Sequence, residues 1–179
     1  DYSIVSFSGS GITSGFTEND SKLTGQLVPP LYTKLGYSWS QNRDFVPSDI
    51  KWDFTKRQPD AIVINLGTND DSYTKDIVSH QEEYAAEYVN FLKLLRACNP
   101  DALLLCTLGI MGDRLFPFIQ KAAAVYQSET GDANLRTMKF DVQDASDGYS
   151  SNFHPSAITH GKAANKLSDE FKKFQFFSQ

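Results

Sequence analysis

The chain has 179 residues and a formal net charge of −5 at pH 7, with 40% hydrophobic and 22% charged residues. This size and balance fit one globular domain around a single hydrophobic core. The negative charge disfavours nucleic acid and anionic membrane surfaces as main partners, and no apolar run reaches the roughly 20 residues of a membrane-spanning helix.

Strands and helices are predicted to alternate along the chain. The strand pattern occurs at residues 3–7, 61–66, 102–107 and 137–142, and the helix pattern at residues 30–35, 81–98, 116–128 and 155–174. The polar and aromatic stretch 36–52 is expected to be a loop. This alternation predicts an α/β/α sandwich, with a central parallel sheet between two layers of helices. Because a core strand is predicted directly after Asp1, we also expect polypeptide upstream of residue 1.

Three glycine-containing segments follow predicted strands. They are Ser-Gly-Ser-Gly at residues 8–11, Gly-Thr-Asn-Asp at residues 67–70 and Leu-Gly-Ile-Met-Gly at residues 108–112. The carboxyl ends of parallel strands share one edge of the sheet, and active sites in such sheets lie at that edge. We therefore expect the three segments to converge, although each alone also fits an ordinary turn.

Residues in and beyond these segments suit ester hydrolysis. That reaction needs an oxygen nucleophile, a base for its proton and donors for the developing oxyanion. The Asn69 amide and a backbone N–H of Gly9 or Gly11 can be the donors, because glycine lets a substrate approach the backbone closely. His154, just before a predicted helix, can be the base. The plainer alternative is that this histidine only happens to stand at a helix start.

Other site chemistries are not indicated. The three histidines and two cysteines lack the spacing of a zinc site. Residues 8–11 lack the Lys-Ser/Thr of a phosphate-binding loop, and no Gly-x-Ser-x-Gly elbow occurs. No metal or organic cofactor is therefore expected. We expect Cys98 and Cys106 to be free thiols, and His80 and His160 to be surface or capping groups.

Several longer segments share a family pattern. They are residues 49–54 (Asp-Ile-Lys-Trp-Asp-Phe), 58–60 (Gln-Pro-Asp), 63–70 (Val-Ile-Asn-Leu-Gly-Thr-Asn-Asp), 108–113, 147–148, 154–156 and 159–160. In these segments the chain resembles the SGNH (GDSL-type) hydrolases, most closely the catalytic domain of carbohydrate esterase family 2. The resemblance covers nearly the whole chain. It implies the flavodoxin-like α/β/α fold of those enzymes and a single catalytic domain over residues 1–179.

The resemblance also implies roles for individual residues. Asn69 matches the oxyanion asparagine, His154 matches the catalytic histidine, and residues 8–11 match the Ser-Gly-x-Gly turn that carries the oxyanion glycine. In this alignment the Gly-Asp-Ser block with the nucleophilic serine lies upstream of residue 1, as does the N-terminal β-sandwich of the family. The serine would then come from an upstream segment or from a second polypeptide.

Two other placements of the nucleophile stay open. Residues 9–15, Gly-Ser-Gly-Ile-Thr-Ser-Gly, resemble a Gly-Asp-Ser-Ile-Thr-x-Gly block in which Gly11 replaces the serine. That alignment would make the chain an inactivated variant or a pseudoenzyme. Ser10 as the nucleophile is the third placement. We favour the upstream serine, because the distance to Gly67 is too short for a nucleophile block plus a separate oxyanion block.

The histidine lacks the acidic partner that is usual in the family. Many SGNH enzymes have an aspartate three residues before the histidine, where this chain has Ser151, followed by Asn152. A backbone carbonyl would then orient His154, as in family members with a Ser–His dyad. Asp147 is a more distant candidate for the third member of a triad.

The function implied by the resemblance is that of a secreted carbohydrate O-acetylesterase. It would remove acetyl groups from plant-type polysaccharides or oligosaccharides through an acyl-enzyme on serine. Trp52 and Phe153 would pack on a sugar ring, and Asp70 and Met111 would also contact the substrate. The expected partner is an acetylated glycan. The alternatives are a carbohydrate-binding pseudoenzyme and an O-acetyltransferase.

Overall fold

The computed structural model describes residues 1–37 and 45–174. Its strands are β1 (Ala61–Asn65), β2 (Leu103–Ile110) and β3 (Leu135–Val142), and its α-helices are α1 (Pro29–Tyr32), α2 (Thr68–Thr74), α3 (Val78–Cys98), α4 (Phe116–Thr130) and α5 (Ala157–Lys172). The alternation of strands and helices predicted from residue 61 onward is confirmed. Helix α2 was not predicted, and α1 is shorter than the helix expected over residues 30–35.

The three strands form a parallel sheet in the order β1-β2-β3. Strand β2 lies in the middle, and seven of its eight residues are buried. A strand covered on both faces needs apolar side chains in both directions, which explains the continuous apolar run that predicted it. The register pairs Asn65 with Thr107 and Ile110 with Val142, so the carboxyl ends of all three strands lie at one edge.

Helices cover both faces of the sheet. On one face, α3 and α4 pack against β1 and β2 through a cluster that includes Tyr84, Leu92 and Ile119. On the other face, Leu105, Met138 and Phe140 pack against partly buried side chains of α5. Adjacent residues of β2 therefore point to opposite layers, as strand geometry requires. The predicted three-layer α/β/α architecture is confirmed.

The strand predicted at residues 3–7 is not formed, so that prediction was wrong for this structure. Tyr2 is 82% and Ile4 78% exposed, and residues 1–7 have no strand assignment. Within the described residues, β1 pairs only with β2, so its outer edge has no neighbouring strand. Within the described residues, no backbone hydrogen bond pairs residues 3–7 with a strand, so their apolar pattern alone did not make them one.

Part of the predicted loop over residues 36–52 lies outside the described residues, namely 38–44. The described remainder contains a short 3₁₀ turn, Pro47–Asp49. None of the helices in residues 1–37 and 45–174 combines the length and apolar character that a membrane span requires.

Both cysteines are free thiols, as predicted. Cys106 is buried in β2, whereas Cys98 at the end of α3 is partly exposed. Burial raises the pKa of Cys106 to about 12, so this thiol stays protonated and is a poor nucleophile.

Candidate active site

A buried carboxylate holds the glycine loop, residues 8–14, against the start of α2. Asp70 is 0% exposed. The backbone N–H groups of Ile12, Thr13 and Ser14 donate to its carboxylate at 3.0, 2.6 and 3.0 Å. These three hydrogen bonds join the loop to the start of α2. The substrate-binding role predicted for Asp70 is wrong, because a fully buried side chain cannot reach a substrate.

The environment of Asp70 sets two effects against each other. Burial raises the pKa of the Asp70 carboxyl, because the charged form loses its hydration. The donated hydrogen bonds from Ser14, Thr13 and Ile12 oppose that rise. The carboxylate and the three N–H groups thus satisfy one another away from water, which keeps the loop in one conformation.

Asn69 lies beside the same loop. Its side-chain Nδ2 donates to the carbonyl oxygen of Ser10 at 2.8 Å. A side-chain amide has two N–H donors, so the second remains for an oxyanion. The preceding turn depends on Gly67, which has φ of +142° and would place a Cβ only 2.7 Å from the Tyr84 hydroxyl oxygen. The predicted convergence of residues 8–11 with Asn69 is therefore present.

The two glycines of the loop differ in what their backbones can do. Gly11 N–H donates to the Gln26 carbonyl at 3.2 Å, so it is already used. Within the described residues, Gly9 N–H has no acceptor, and Gly9 adopts a left-handed φ of +72°. Gly9, rather than Gly11, is therefore the glycine whose N–H can serve as an oxyanion donor.

The structure also bears on where a serine nucleophile can stand. A Cβ at Gly11 would lie 2.0 Å from the Ser14 carbonyl oxygen and 2.5 Å from an Asp70 carboxylate oxygen. No side chain fits there, so the structure argues against the alignment in which Gly11 replaces the nucleophilic serine. Ser10 is only 6% exposed, which argues against it as the nucleophile.

His154 stands at the end of a 3₁₀ turn, Ser151–Phe153, just before α5. Its Nδ1 lies 2.9 Å from the carbonyl oxygen of Ser151. With the proton on Nδ1, the ring donates to that carbonyl and leaves Nε2 free to accept a proton from a nucleophile. The side chain is exposed. A backbone carbonyl was expected to orient His154, because Ser151 stands where many relatives have an aspartate.

Asp147 does not take the place of the acid. Its carboxylate pairs with the Lys162 ammonium at 2.6 Å, and its backbone carbonyl accepts from the hydroxyl of Ser156. Both contacts secure the beginning of α5, where Ser156 is the N-cap. Within the described residues Asp147 makes no hydrogen bond to His154, whose Nδ1 faces Ser151 instead.

The turn with His154 is fastened to the carboxyl edge of the sheet. Gln143, the residue after β3, donates its backbone N–H to Ile110 at the end of β2 and its side-chain Nε2 to Phe153. Asn69 follows β1 at the same edge, and β1 and β3 lie two strand spacings, or about 10 Å, apart across the sheet. Within the described residues, Asn69 and His154 are not hydrogen bonded to each other.

Phe153 and Met111 are open to solvent near His154. Phe153 is 74% exposed, and its ring contacts Tyr149 edge to face with the ring centroids 5.7 Å apart. Met111 is partly exposed in the loop after β2. Tyr149 was missed in the sequence, although its position four residues before Phe153 within the same motif region was a usable signal.

Trp52 is half-buried, and its backbone N–H donates to Thr33, next to Tyr32, whose ring stacks on Phe54. The hydroxyl of Tyr32 accepts from Asn99, which follows α3 and precedes β2. These contacts connect the segment before Trp52 to the α3–β2 connection. The sugar-binding role of Trp52 stays a prediction.

Comparison with known proteins gives similarity over most of the chain. Residues 33–167 match the family model described as GDSL-like Lipase/Acylhydrolase. The cellulase/esterase CelE of Acetivibrio thermocellus is 31% identical over an alignment of 173 residues, which covers 94% of this chain and 19% of that protein. The chain therefore spans about a fifth of this relative.

Solved structures agree with the fold. An acetyl xylan esterase, Est2A, from the rumen bacterium Butyrivibrio proteoclasticus superimposes with a TM-score of 0.81 at 23% identity, covering 92% of this chain and 49% of that one. A family two carbohydrate esterase from Clostridium thermocellum in complex with cellohexaose gives 0.72 at 27% identity, covering 92% and 47%. The chain spans about half the length of these structures, and by its matched residues it belongs to the GDSL-like lipase/acylhydrolase family.

Proposed function

We propose that this chain is the larger part of the catalytic domain of a carbohydrate O-acetylesterase. The observation that carries the proposal is the pair of free donors beside one loop, the Gly9 N–H and the second Asn69 N–H, at the sheet edge that also holds His154. Relatives that cover most of the chain include an acetyl xylan esterase and family two carbohydrate esterases. From this similarity we infer the same kind of activity for this chain.

The proposed reaction uses these groups in sequence. A serine oxygen attacks the acetyl carbonyl while His154 Nε2 takes its proton, and the oxyanion is held by Gly9 and Asn69. The imidazolium then protonates the departing sugar oxygen, leaving an acetyl-enzyme. Water attacks that ester with His154 again as base and releases acetate. The Ser151 carbonyl keeps the ring oriented and stabilises its charged form.

We infer that the serine is supplied by polypeptide outside residues 1–179. Two features support this placement: the unpaired outer edge of β1 and the apolar, exposed segment 2–5. An added strand would satisfy that edge and bring its own carboxyl end beside the glycine loop. A segment of the same polypeptide is favoured over a second polypeptide, because the chain covers only about half of its solved relatives.

The proposed ligand is an acetylated glycan in an extracellular setting. Phe153 and Tyr149 offer exposed aromatic faces next to His154, and Met111 adds an apolar, deformable side chain at the end of β2. Sugar rings have apolar faces that pack on such groups, while their acetyl esters would reach the oxyanion donors.

One experiment tests the proposal as a whole. The full-length polypeptide is incubated with acetylated xylan and with p-nitrophenyl acetate, acetate is quantified, and a fluorophosphonate probe is mapped by mass spectrometry. We expect stoichiometric acetate and a single labelled serine outside residues 1–179. Glycan binding without acetate release and without labelling would instead identify a pseudoenzyme. Acetyl transfer to an added sugar with little free acetate would identify a transferase.

Replacing Asn69 with alanine is expected to lower kcat by about 10²–10³-fold, because one of two oxyanion donors is lost. KM should change little, since the donor acts mainly in the transition state. Steady-state hydrolysis of p-nitrophenyl acetate by the full-length polypeptide measures both constants. Asn90→Ala is the matched control, because Asn90 is an exposed amide on α3 whose side-chain hydrogen bond among the described residues goes to Glu87. An unchanged kcat in Asn69→Ala would remove Asn69 from the mechanism.

A further inference from the structure

Non-glycine residues with left-handed backbone are concentrated beside His154. Five described non-glycine residues have positive φ, namely Asp20, Lys75, Ile110, Asn152 and Phe153. The last three lie at the carboxyl edge of the sheet. A β-branched residue such as Ile110, with φ of +68°, rarely adopts this conformation. Two consecutive non-glycine residues with positive φ, here Asn152 and Phe153, are equally unusual. Such backbone persists only where the surroundings hold it.

Gln143 contacts both of these segments. Its backbone N–H donates to the Ile110 carbonyl at 2.7 Å, and its side-chain Nε2 donates to the Phe153 carbonyl at 2.8 Å. Its side-chain Oε1 is buried and has no hydrogen-bond partner within the described residues. Turning the amide over would set that oxygen against the Phe153 carbonyl, so the N–H donor is the end that the turn uses.

The contact to Phe153 acts directly on the histidine. The Phe153 carbonyl belongs to the peptide group that leads into His154, and the turn is closed by the His154 N–H, which donates to Ser151 at 3.1 Å. The same Ser151 carbonyl lies 2.9 Å from His154 Nδ1. A peptide group fixed by Gln143 therefore fixes the angle at which the imidazole meets its orienting carbonyl.

We propose that Gln143 is a positioning residue that holds the turn Ser151–Phe153 so that His154 keeps its proton on Nδ1 and presents Nε2 to the nucleophile. This role rests on the proposed function in one respect, namely that His154 is the base. Gln143 itself touches neither substrate nor reacting atoms. It was not predicted from the sequence, where a glutamine after a strand carries no signal.

Gln143→Met tests the proposal, because methionine keeps the length of the side chain and removes the donor. Imidazole ¹⁵N chemical shifts are recorded on the 179-residue chain, with the histidine signals assigned by substitution. We expect wild-type His154 to show one neutral tautomer with the proton on Nδ1, and the variant to show a mixture. In the full-length polypeptide, kcat for p-nitrophenyl acetate should fall about 10-fold or more with KM within two-fold, since misorientation of a catalytic group costs rate.

Gln127→Met is the matched control, because the Gln127 amide also donates to backbone carbonyls from a half-buried position, at Asp132. It should leave the His154 tautomer and kcat unchanged. Gln143→Glu is the second variant; it keeps the shape, lacks the donor at neutral pH and should reproduce the defect. A single Nδ1–H tautomer with wild-type kcat in both Gln143 variants overturns the proposal. A mixed tautomer, together with no effect of His154→Ala on hydrolysis, would uphold the positioning role and reject the proposed function.

Discussion

Replacing His154 with alanine is expected to lower kcat for acetyl-ester hydrolysis by about 10²–10⁴-fold, the factor that a positioned general acid and base typically contributes. His154 has the geometry for both steps, because Nδ1 faces the Ser151 carbonyl at 2.9 Å and Nε2 is left without a described partner. KM should stay close to wild type, since the imidazole acts on protons rather than on the sugar. The measurement is steady-state hydrolysis of p-nitrophenyl acetate and acetylated xylan by the full-length polypeptide.

His160→Ala is the control for this change. His160 is an exposed residue of α5, about one turn beyond the N-cap Ser156, and no side-chain hydrogen bond of its ring occurs among the described residues. Its replacement should leave kcat and KM within two-fold of wild type. Hydrolysis that survives His154→Ala but not His160→Ala would show that the turn before α5 is not the catalytic one.

The edge of the sheet that holds the site was predictable, because strand physics fixes it. The apolar runs at residues 61–66 and 102–107 predicted two strands, and helices between parallel strands place the ends of those strands together. Asn69 follows such a run directly, so its position needed no knowledge of distant contacts. The contact between Asn69 and the Ser10 carbonyl was predictable only as a convergence of two segments.

The predictions that failed concerned contacts between residues far apart in the sequence. Asp70 stands next to Asn69 in sequence, which suggested a shared role, yet successive residues of a helix point in different directions. Its carboxylate meets backbone N–H groups up to 58 positions earlier, and no local pattern encodes that meeting.

The orienting contacts of His154 were partly predictable. The absence of an acid at Ser151 directed attention to a backbone carbonyl, and the Ser151 carbonyl is the one that the structure provides. The left-handed conformation of Asn152 and Phe153 and the Gln143 contact that accompanies it could not be read in advance. Asparagine is enriched in this conformation, so Asn152 carried a weak signal, whereas Phe153 carried none.

Replacing Asp70 with alanine is expected to lower the free energy of unfolding by about 3–5 kcal/mol, because the buried N–H groups of Ile12, Thr13 and Ser14 lose their acceptor together. The glycine loop should also lose its fixed conformation, so the Gly9 N–H would no longer be held beside Asn69. Urea unfolding of the 179-residue chain, followed by circular dichroism, measures the first effect. A fall of at least 10²-fold in kcat of the full-length polypeptide would register the second.

Two further variants show whether the stability loss in Asp70→Ala comes from its buried carboxylate or would follow the loss of any acidic side chain. Asp113→Ala removes a partly exposed carboxylate whose contact is Lys139, and should cost less than about 1 kcal/mol. Asp70→Asn keeps the shape and removes the charge. Because burial raises the pKa of Asp70, the folded state binds the proton more tightly than the unfolded state, and stability from this group is lost as pH rises above the ordinary aspartate range. The free energy of unfolding of Asp70→Asn should therefore fall furthest below that of wild type in acid, and this difference should shrink as pH rises. A deficit that grows with pH would mean that the three N–H donors outweigh burial and that the loop is held chiefly by the charge.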